Sequence, residues 1–278
     1  MLTDVLINGE KKDNLNITDR GIQYGDGLFE TIEVSSGRAV FIDRHLDRLQ
    51  LGCKRLHIPY PGNPILLSEI DLLLEGTFNA VLKIQITRGT GGRGYRQPDI
   101  VTPTRILSLH PFPKFPDSFA QEGINVTSCK GQLSSNPVLA GIKHTNRLEQ
   151  VLARAEWVSQ SIQEGLMSDQ QGNVIEGTMS NLFLVKEQKI ITPLVDSCGV
   201  AGIIRRLILD FCPELGFVAE QQLVTKECLN HADEIFVTNS VIGVWPVKKI
   251  DNHSFSLGPV TRQISAYLEK LKSQEIDS

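Results

Sequence analysis

The stretch Ala140-Gly141-Ile142-Lys143-His144-Thr145-Asn146-Arg147-Leu148-Glu149-Gln150-Val151-Leu152 sets a lysine between an apolar Ala-Gly-Ile run and the start of a helix. Asn146 followed by Glu149 predicts a variant of the capping box, and Leu148, Val151, Leu152 and Ala155 recur at the spacing of a buried helical stripe. Lys143 then falls on the turn before that helix. An ammonium held among apolar neighbours is desolvated, which lowers its pKa from about 10.4 and makes the amine a nucleophile toward carbonyls. Position alone favours a solvated loop lysine, so the choice depends on what else the chain carries.

Three further stretches bear on it. Val174-Ile175-Glu176-Gly177-Thr178-Met179-Ser180-Asn181-Leu182-Phe183 places an acidic residue between a strand and a turn of small residues. Gly199-Val200-Ala201-Gly202-Ile203-Ile204-Arg205-Arg206 puts glycines at a helix N-terminus, where unpaired amides and the helix dipole bind phosphate. Phe236-Val237-Thr238-Asn239-Ser240 ends a strand with hydroxyls. A lysine that can condense with an aldehyde, a carboxylate that can keep a ring nitrogen protonated, and a phosphate-binding helix start are the three things pyridoxal phosphate needs.

The 278 residues suit two domains. With 41% apolar and 22% charged residues the composition is that of a folded globular chain. Asn8-Gly9 after Val5-Leu6-Ile7, and Ser35-Ser36-Gly37 between Leu28–Val34 and Ala39–Ile42, predict hairpins. Asp43 is placed to cap a helix carrying Leu46, Leu49, Cys53 and Leu56. Between 81 and 88 the residues alternate, sending Leu82, Ile84 and Ile86 to one side and Lys83, Gln85 and Thr87 to the other. The prolines of His110-Pro111-Phe112-Pro113-Lys114-Phe115-Pro116 read as an extended linker. The expected plan is a smaller domain over 1–110, a linker over 111–120 and a larger domain over 121–278 that carries Lys143. Strands are expected at 124–128, 182–185, 189–192 and 234–238, and helices at 147–160, 203–212 and 259–272. Both domains are of the α/β class with mixed sheets, and a ligand site is expected in the cleft between them.

Other chemistry is excluded by inspection. There is no Gly-Lys-Ser/Thr phosphate loop, no His-Glu-x-x-His and no Gly-x-Ser-x-Gly. Six isolated histidines offer no metal-ligand spacing. A net charge of −4 without a basic run argues against nucleic acid, and the absence of a long apolar run argues against a membrane span. The start, Met1-Leu2-Thr3-Asp4, lacks the basic residues of a secretion signal, and five scattered cysteines without Cys-x-x-Cys suit a reducing cytoplasm.

In these motifs, and in Tyr24-Gly25-Asp26-Gly27-Leu28-Phe29-Glu30-Thr31, His45-Leu46-Asp47-Arg48-Leu49 and Val244-Trp245-Pro246-Val247, the chain resembles the fold-type IV pyridoxal-phosphate enzymes over nearly its whole length. That group holds the branched-chain and D-amino-acid aminotransferases and the aminodeoxychorismate lyases. Arg88-Gly89-Thr90-Gly91-Gly92-Arg93-Gly94-Tyr95 and Gly141-Ile142-Lys143-His144 through Gln150 look like the lyase branch.

The resemblance implies a role for each matched residue. Lys143 is the Schiff-base lysine and Glu176 the partner of the pyridine nitrogen. Arg48, the backbone amides of Ile203 and Ile204, and Ser240 hold the phosphate, although Ser240 also reads as an ordinary strand-end turn serine. Thr31 assists proton transfer near the lysine. Lys83, Arg88 and Arg93 are candidates for the substrate's carboxylates, and each also reads as a plain surface charge. The implied reaction turns aminodeoxychorismate into 4-aminobenzoate and pyruvate in folate synthesis, in a homodimer. An aminotransferase of the same fold, or a non-catalytic cofactor-binding protein, would carry most of the same residues.

Overall fold

The computed structural model describes residues 4–277, so Met1-Leu2-Thr3 of the start read against a secretion signal lies outside it. Of the described residues, those up to Pro113, together with Ile142–Asn146 and those from Lys272 onward, form one compact unit. Lys114–Gly141 and Arg147–Leu271 form the other. The segment bearing Lys143, expected with the larger domain, is therefore part of the first unit.

The first unit is built on a six-stranded antiparallel sheet ordered Glu10–Lys11, Asp4–Ile7, Thr104–His110, Ala80–Thr87, Gly27–Ser35, Arg38–Ala39. The alternation read from the sequence sets its two faces. Leu82, Ile84 and Ile86 are buried and stand in register with Ile32, Glu30 and Leu28 on one side, while Leu109 and Leu107 oppose Leu82 and Ile84 on the other. Helix Ile42–Leu56 supplies Leu46, Leu49 and Cys53 to the core, and helix Asn63–Leu74 supplies Leu66, Ile70 and Leu73. Asp43 does not cap its helix. Phe41, in the left-handed region, is the capping position, and Asp43 lies within the first turn, where its charge complements the dipole.

The second unit holds nine strands. Six of them, Asn181–Lys186, Glu234–Asn239, Gly243–Ile250, Ile124–Leu133, Glu164–Asp169 and Val174–Gly177, pair in a ring that the register pair Asn181–Glu176 closes into a barrel. Leu182, Leu184, Ile235, Val237, Trp245, Val247, Ile124, Val126, Leu166 and Val174 belong to one buried cluster that every strand of the ring feeds. Closure removes the edges that an open sheet would expose.

The helix expected over 147–160 forms only at Leu148–Arg154, and its capping box is absent. Asn146 Nδ2 donates to the Gly25 carbonyl, and Glu149 Oε1 accepts from the Ser134 amide. Leu148 and Leu152 are 75% and 69% exposed and Val151 is exposed as well, while Ala153 is the buried residue of the helix. The expected buried stripe is thus an exposed one.

Gly89 follows the Ala80–Thr87 strand at φ +82°, where a Cβ would stand 2.0 Å from the Thr102 carbonyl oxygen. Gly89→Ala should lower the unfolding free energy by about 2–3 kcal/mol, read by urea denaturation.

Candidate active site

In the first unit, residues 142–146 run along the open edge of the Gly27–Ser35 strand. Phe29 N–H donates to the Lys143 carbonyl at 2.9 Å, Thr145 N–H donates to the Gly27 carbonyl at 3.0 Å, and Leu28 pairs with His144. Lys143 therefore shares the face of Phe29, and its Nζ lies 4.5 Å from the centre of that ring. Two residues along, Thr31 looks out from the same face. It stands in register with Lys83, and Lys83 with Ser108. Lys83 Nζ lies 5.5 Å from the same Phe29 ring, and burial pushes its pKa down. Ser108 Oγ is hydrogen-bonded to His110 Nε2 at 3.0 Å. Three expected residues, Lys143, Thr31 and Lys83, thus occupy one polar face. Ser108 and His110 were missed, although the alternation Leu107-Ser108-Leu109-His110 carries the signal.

Glu30 projects from the opposite, apolar face and is buried. Arg48 meets it side-on, Nε donating to Oε1 at 2.8 Å and Nη2 to Oε2, while His45 Nδ1 lies 2.6 Å from Oε2. Burial alone would raise the Glu30 carboxyl, but the Arg48 charge and the hydrogen bonds from Arg48 and His45 outweigh it and hold the pKa down at about 2. Burial keeps His45 below the usual histidine range.

The three candidates for substrate carboxylates separate. Arg88 is buried, with Nε and Nη2 on the Asp26 carboxylate at 2.7 and 3.0 Å, Nη1 on the His57 carbonyl and Nη2 also on the Leu56 carbonyl. Arg20 Nε shares the Asp26 Oδ2 with Arg88, and Arg20 Nη1 donates to the carbonyls of Gly94 and Arg96. Arg88 is therefore a structural arginine at the root of the 89–96 loop, with its donors committed to protein acceptors. Arg93 is exposed on that loop.

In the second unit, Glu176 is buried and its Oε2 accepts from the Val200 amide at 2.8 Å. Asn181, its register partner, donates through Nδ2 to the Val200 carbonyl at 2.8 Å. Glycines let the 199–202 segment lie this close. A Cβ at Gly199 would stand 3.3 Å from Glu176 Oε2, and one at Gly202 would stand 1.9 Å from Asn181 Oδ1. Helix Ile203–Phe211 follows with no side-chain cap, so the first-turn amides of Ile203 and Ile204 have no acceptor within the helix. Thr238, in register with Asn181, is fully buried with an Oγ1 that meets no protein partner. Asn239 accepts from the amides of Val241 and Ile242, shaping the turn that carries the half-buried Ser240. Arg205 sits near Glu176; burial pulls its pKa down to about 10 while the carboxylate opposes the shift. An uncapped helix start, glycine cradles and an unpartnered buried hydroxyl fit a phosphate ester, and a buried carboxylate held by an amide fits a protonated ring nitrogen.

Buried Glu164 completes this region. It accepts from the amides of Gly165 and Thr178 and from the hydroxyls of Thr178 and Ser180, which fixes the turn after Glu176. Among the described residues no His, Cys, Asp and Glu cluster could hold a metal ion, and no helix is long and apolar enough to cross a membrane.

Comparison with known proteins places these features in context. The family model for amino-transferase class IV matches residues 27–250. The chain is 35% identical over 269 residues to an aminodeoxychorismate lyase of Vibrio harveyi, covering 94% of this chain and 98% of that one. It is 41% identical to the crystal structure of a 4-amino-4-deoxychorismate lyase from Pseudomonas aeruginosa, with a TM-score of 0.93 over 96% of this chain and 98% of that one. The fold alone is shared with a hypothetical aminotransferase from Mycobacterium tuberculosis in a PLP-bound form, at 17% identity and a TM-score of 0.86 over 98% and 100% of the two chains.

The contrast between the two loop arginines is measurable. Arg88→Ala should cost about 3 kcal/mol of stability, because it strands two carbonyls and leaves the half-buried Asp26 carboxylate to Arg20 alone. Arg93→Ala should change it by no more than about 0.5 kcal/mol. Denaturation of the two variants side by side reads the difference.

Proposed function

The chain belongs to the amino-transferase class IV family, and on that premise we propose that it is a pyridoxal-phosphate lyase that cleaves 4-amino-4-deoxychorismate to 4-aminobenzoate and pyruvate. One observation carries this reading: Lys143, Thr31 and Lys83 share a sheet face, with both ammonium groups set against a single Phe29 ring. A second ammonium on the face of the lysine that condenses with the cofactor gives a substrate carboxylate a partner there. The similarity to lyases from two bacteria supports the same choice.

When bound, pyridoxal phosphate supplies an aldehyde that condenses with amines and a pyridine ring that withdraws electrons. Lys143 anchors it, and Glu176 keeps the ring nitrogen protonated. Arg48, the amides of Ile203 and Ile204, and Ser240 hold the phosphate. Lys83 and Arg93 take the substrate carboxylates. Lys143 Nζ, as a neutral amine, removes the proton from the amine-bearing ring carbon of the substrate, and the enolpyruvyl oxygen leaves the neighbouring carbon as the ring becomes aromatic. Thr31 Oγ1 guides the proton that converts enolpyruvate to pyruvate. All five cysteines are free thiols, which supports a cytoplasmic setting.

We further propose a homodimer. The stripe Leu148, Val151 and Leu152, with nearby Val158 at 97% exposure, offers apolar area that a second copy would bury.

Incubated with cofactor and aminodeoxychorismate but no keto acid, the protein should release 4-aminobenzoate and pyruvate in equal amounts over many turnovers. Borohydride reduction of the loaded protein should fix the pyridoxyl group on Lys143 in peptide mapping. Turnover that halts after one equivalent until a keto acid is added would make it an aminotransferase; cofactor binding without turnover would make it a binding protein only.

Light scattering after size exclusion should give twice the chain mass for the wild type and the chain mass for Val151→Glu/Leu152→Glu. A monomeric wild type would remove the dimer.

A further inference from the structure

Glu30 is out of place by the logic of its own strand. Its neighbours on that face are Leu28 and Ile32, it opposes Ile84, and all four positions are buried. An apolar side chain would satisfy the alternation, whereas a carboxylate there is costly unless paired, and even a paired buried charge seldom stabilises more than a hydrophobic residue would. The carboxylate is committed to one neighbour from two directions. Arg48 docks on it through both Nε and Nη2, a side-on fork that fixes the plane of the guanidinium as well as its position.

His45 holds the carboxylate from behind. It lies three residues before Arg48 on helix Ile42–Leu56, so both side chains reach the same point. A carboxylate oxygen can only accept, so His45 Nδ1 carries the proton of the 2.6 Å contact and the neutral ring leaves Nε2 bare. That Nε2 is buried with no partner, on a residue with no solvent exposure. The ring is thus kept for its Nδ1–H alone, at the expense of its other nitrogen.

We propose that Glu30 is a positioning residue, oriented by His45, that aims Arg48 at the phosphate of the bound cofactor. This rests on the cofactor reading given above. A lone arginine on a helix samples many rotamers, and the Glu30 fork holds one of them before the ligand arrives.

Dissociation constants for pyridoxal phosphate and for pyridoxal, which lacks the phosphate, test the inference in the wild type, Glu30→Gln, Arg48→Ala and the double variant. Glu30→Gln should weaken pyridoxal phosphate about tenfold while leaving pyridoxal within about twofold, and it should cost nothing further in the Arg48→Ala background. Equal weakening of both ligands, an unchanged constant for pyridoxal phosphate, or additive losses in the double variant would overturn it. A wild type that binds neither ligand defeats the cofactor reading itself, and this inference with it. Should Glu30→Gln not fold, His45 replaces it as the probe. His45→Leu should weaken pyridoxal phosphate selectively, and His45→Asn, whose amide N–H stands in for Nδ1–H, should restore it; identical behaviour of these two variants overturns the proposal.

Discussion

The backbone hydrogen bond from Phe29 N–H to the Lys143 carbonyl, 2.9 Å long, decides which way the lysine faces. Side chains alternate along paired strands, so a slip of one residue would turn Lys143 to the face that holds Leu28, Glu30 and Ile32. The register is held from several sides. Thr145 N–H reaches the Gly27 carbonyl at 3.0 Å, and Thr145 Oγ1 and Asn146 Nδ2 both donate to the Gly25 carbonyl, at 2.6 and 2.8 Å. Gly25 can present that carbonyl because its left-handed φ of 64° ends the short helix Arg20–Tyr24. Thr31 and Lys83 acquire their relation to the lysine only through this pairing.

The buried acids are held in two ways, by cations and by neutral donors. In the first unit Asp19 rests on the Gly21 amide and the hydroxyls of Thr87 and Thr104, whereas cations clasp the others: half-buried Asp26 by Arg20 and Arg88, Glu30 by Arg48, Glu69 by Arg105. Such pairs orient side chains more than they stabilise a fold, and each here aims an arginine or pins a loop. In the second unit the acids rest on neutral donors. Glu164 accepts from amides and hydroxyls, and Glu234 takes the amides of Val260 and Thr261 at the start of helix Pro259–Asp277. Glu176 accepts from the Val200 amide and also feels the Arg205 charge. Both favour the ionised form of the carboxylate.

Helix Leu148–Arg154 shows how a correct periodicity can be assigned to the wrong surroundings. Leu148, Val151 and Leu152 do line one side, as their spacing requires, but that side is open. Periodicity reports that an apolar stripe exists and is silent on what covers it. Asn146 and Glu149 fail as a capping box for a related reason, since each has a partner distant in the chain, Gly25 and Ser134, that outcompetes the local one.

Local rules were enough for much of the protein. Alternation over 81–88 placed Leu82, Ile84 and Ile86 in a core, the glycines before Ile203 marked a helix start, and Asn8-Gly9 and Ser36-Gly37 formed turns with positive φ, because each depends on residues a few positions apart. Lys143, Glu176 and Arg48 were singled out for a different reason: their motifs resemble those of a known group of enzymes. What the sequence could not disclose is pairing across long separations. Only the tertiary structure ties Arg88 to Asp26 and the carbonyls of residues 56 and 57, sets Lys83 against Thr31 and Ser108, and joins Glu30 to His45 and Arg48. The side-chain period of a strand or helix says which residues share a face, but strand order and register say which faces meet, and those are settled by the burial of the whole chain at once.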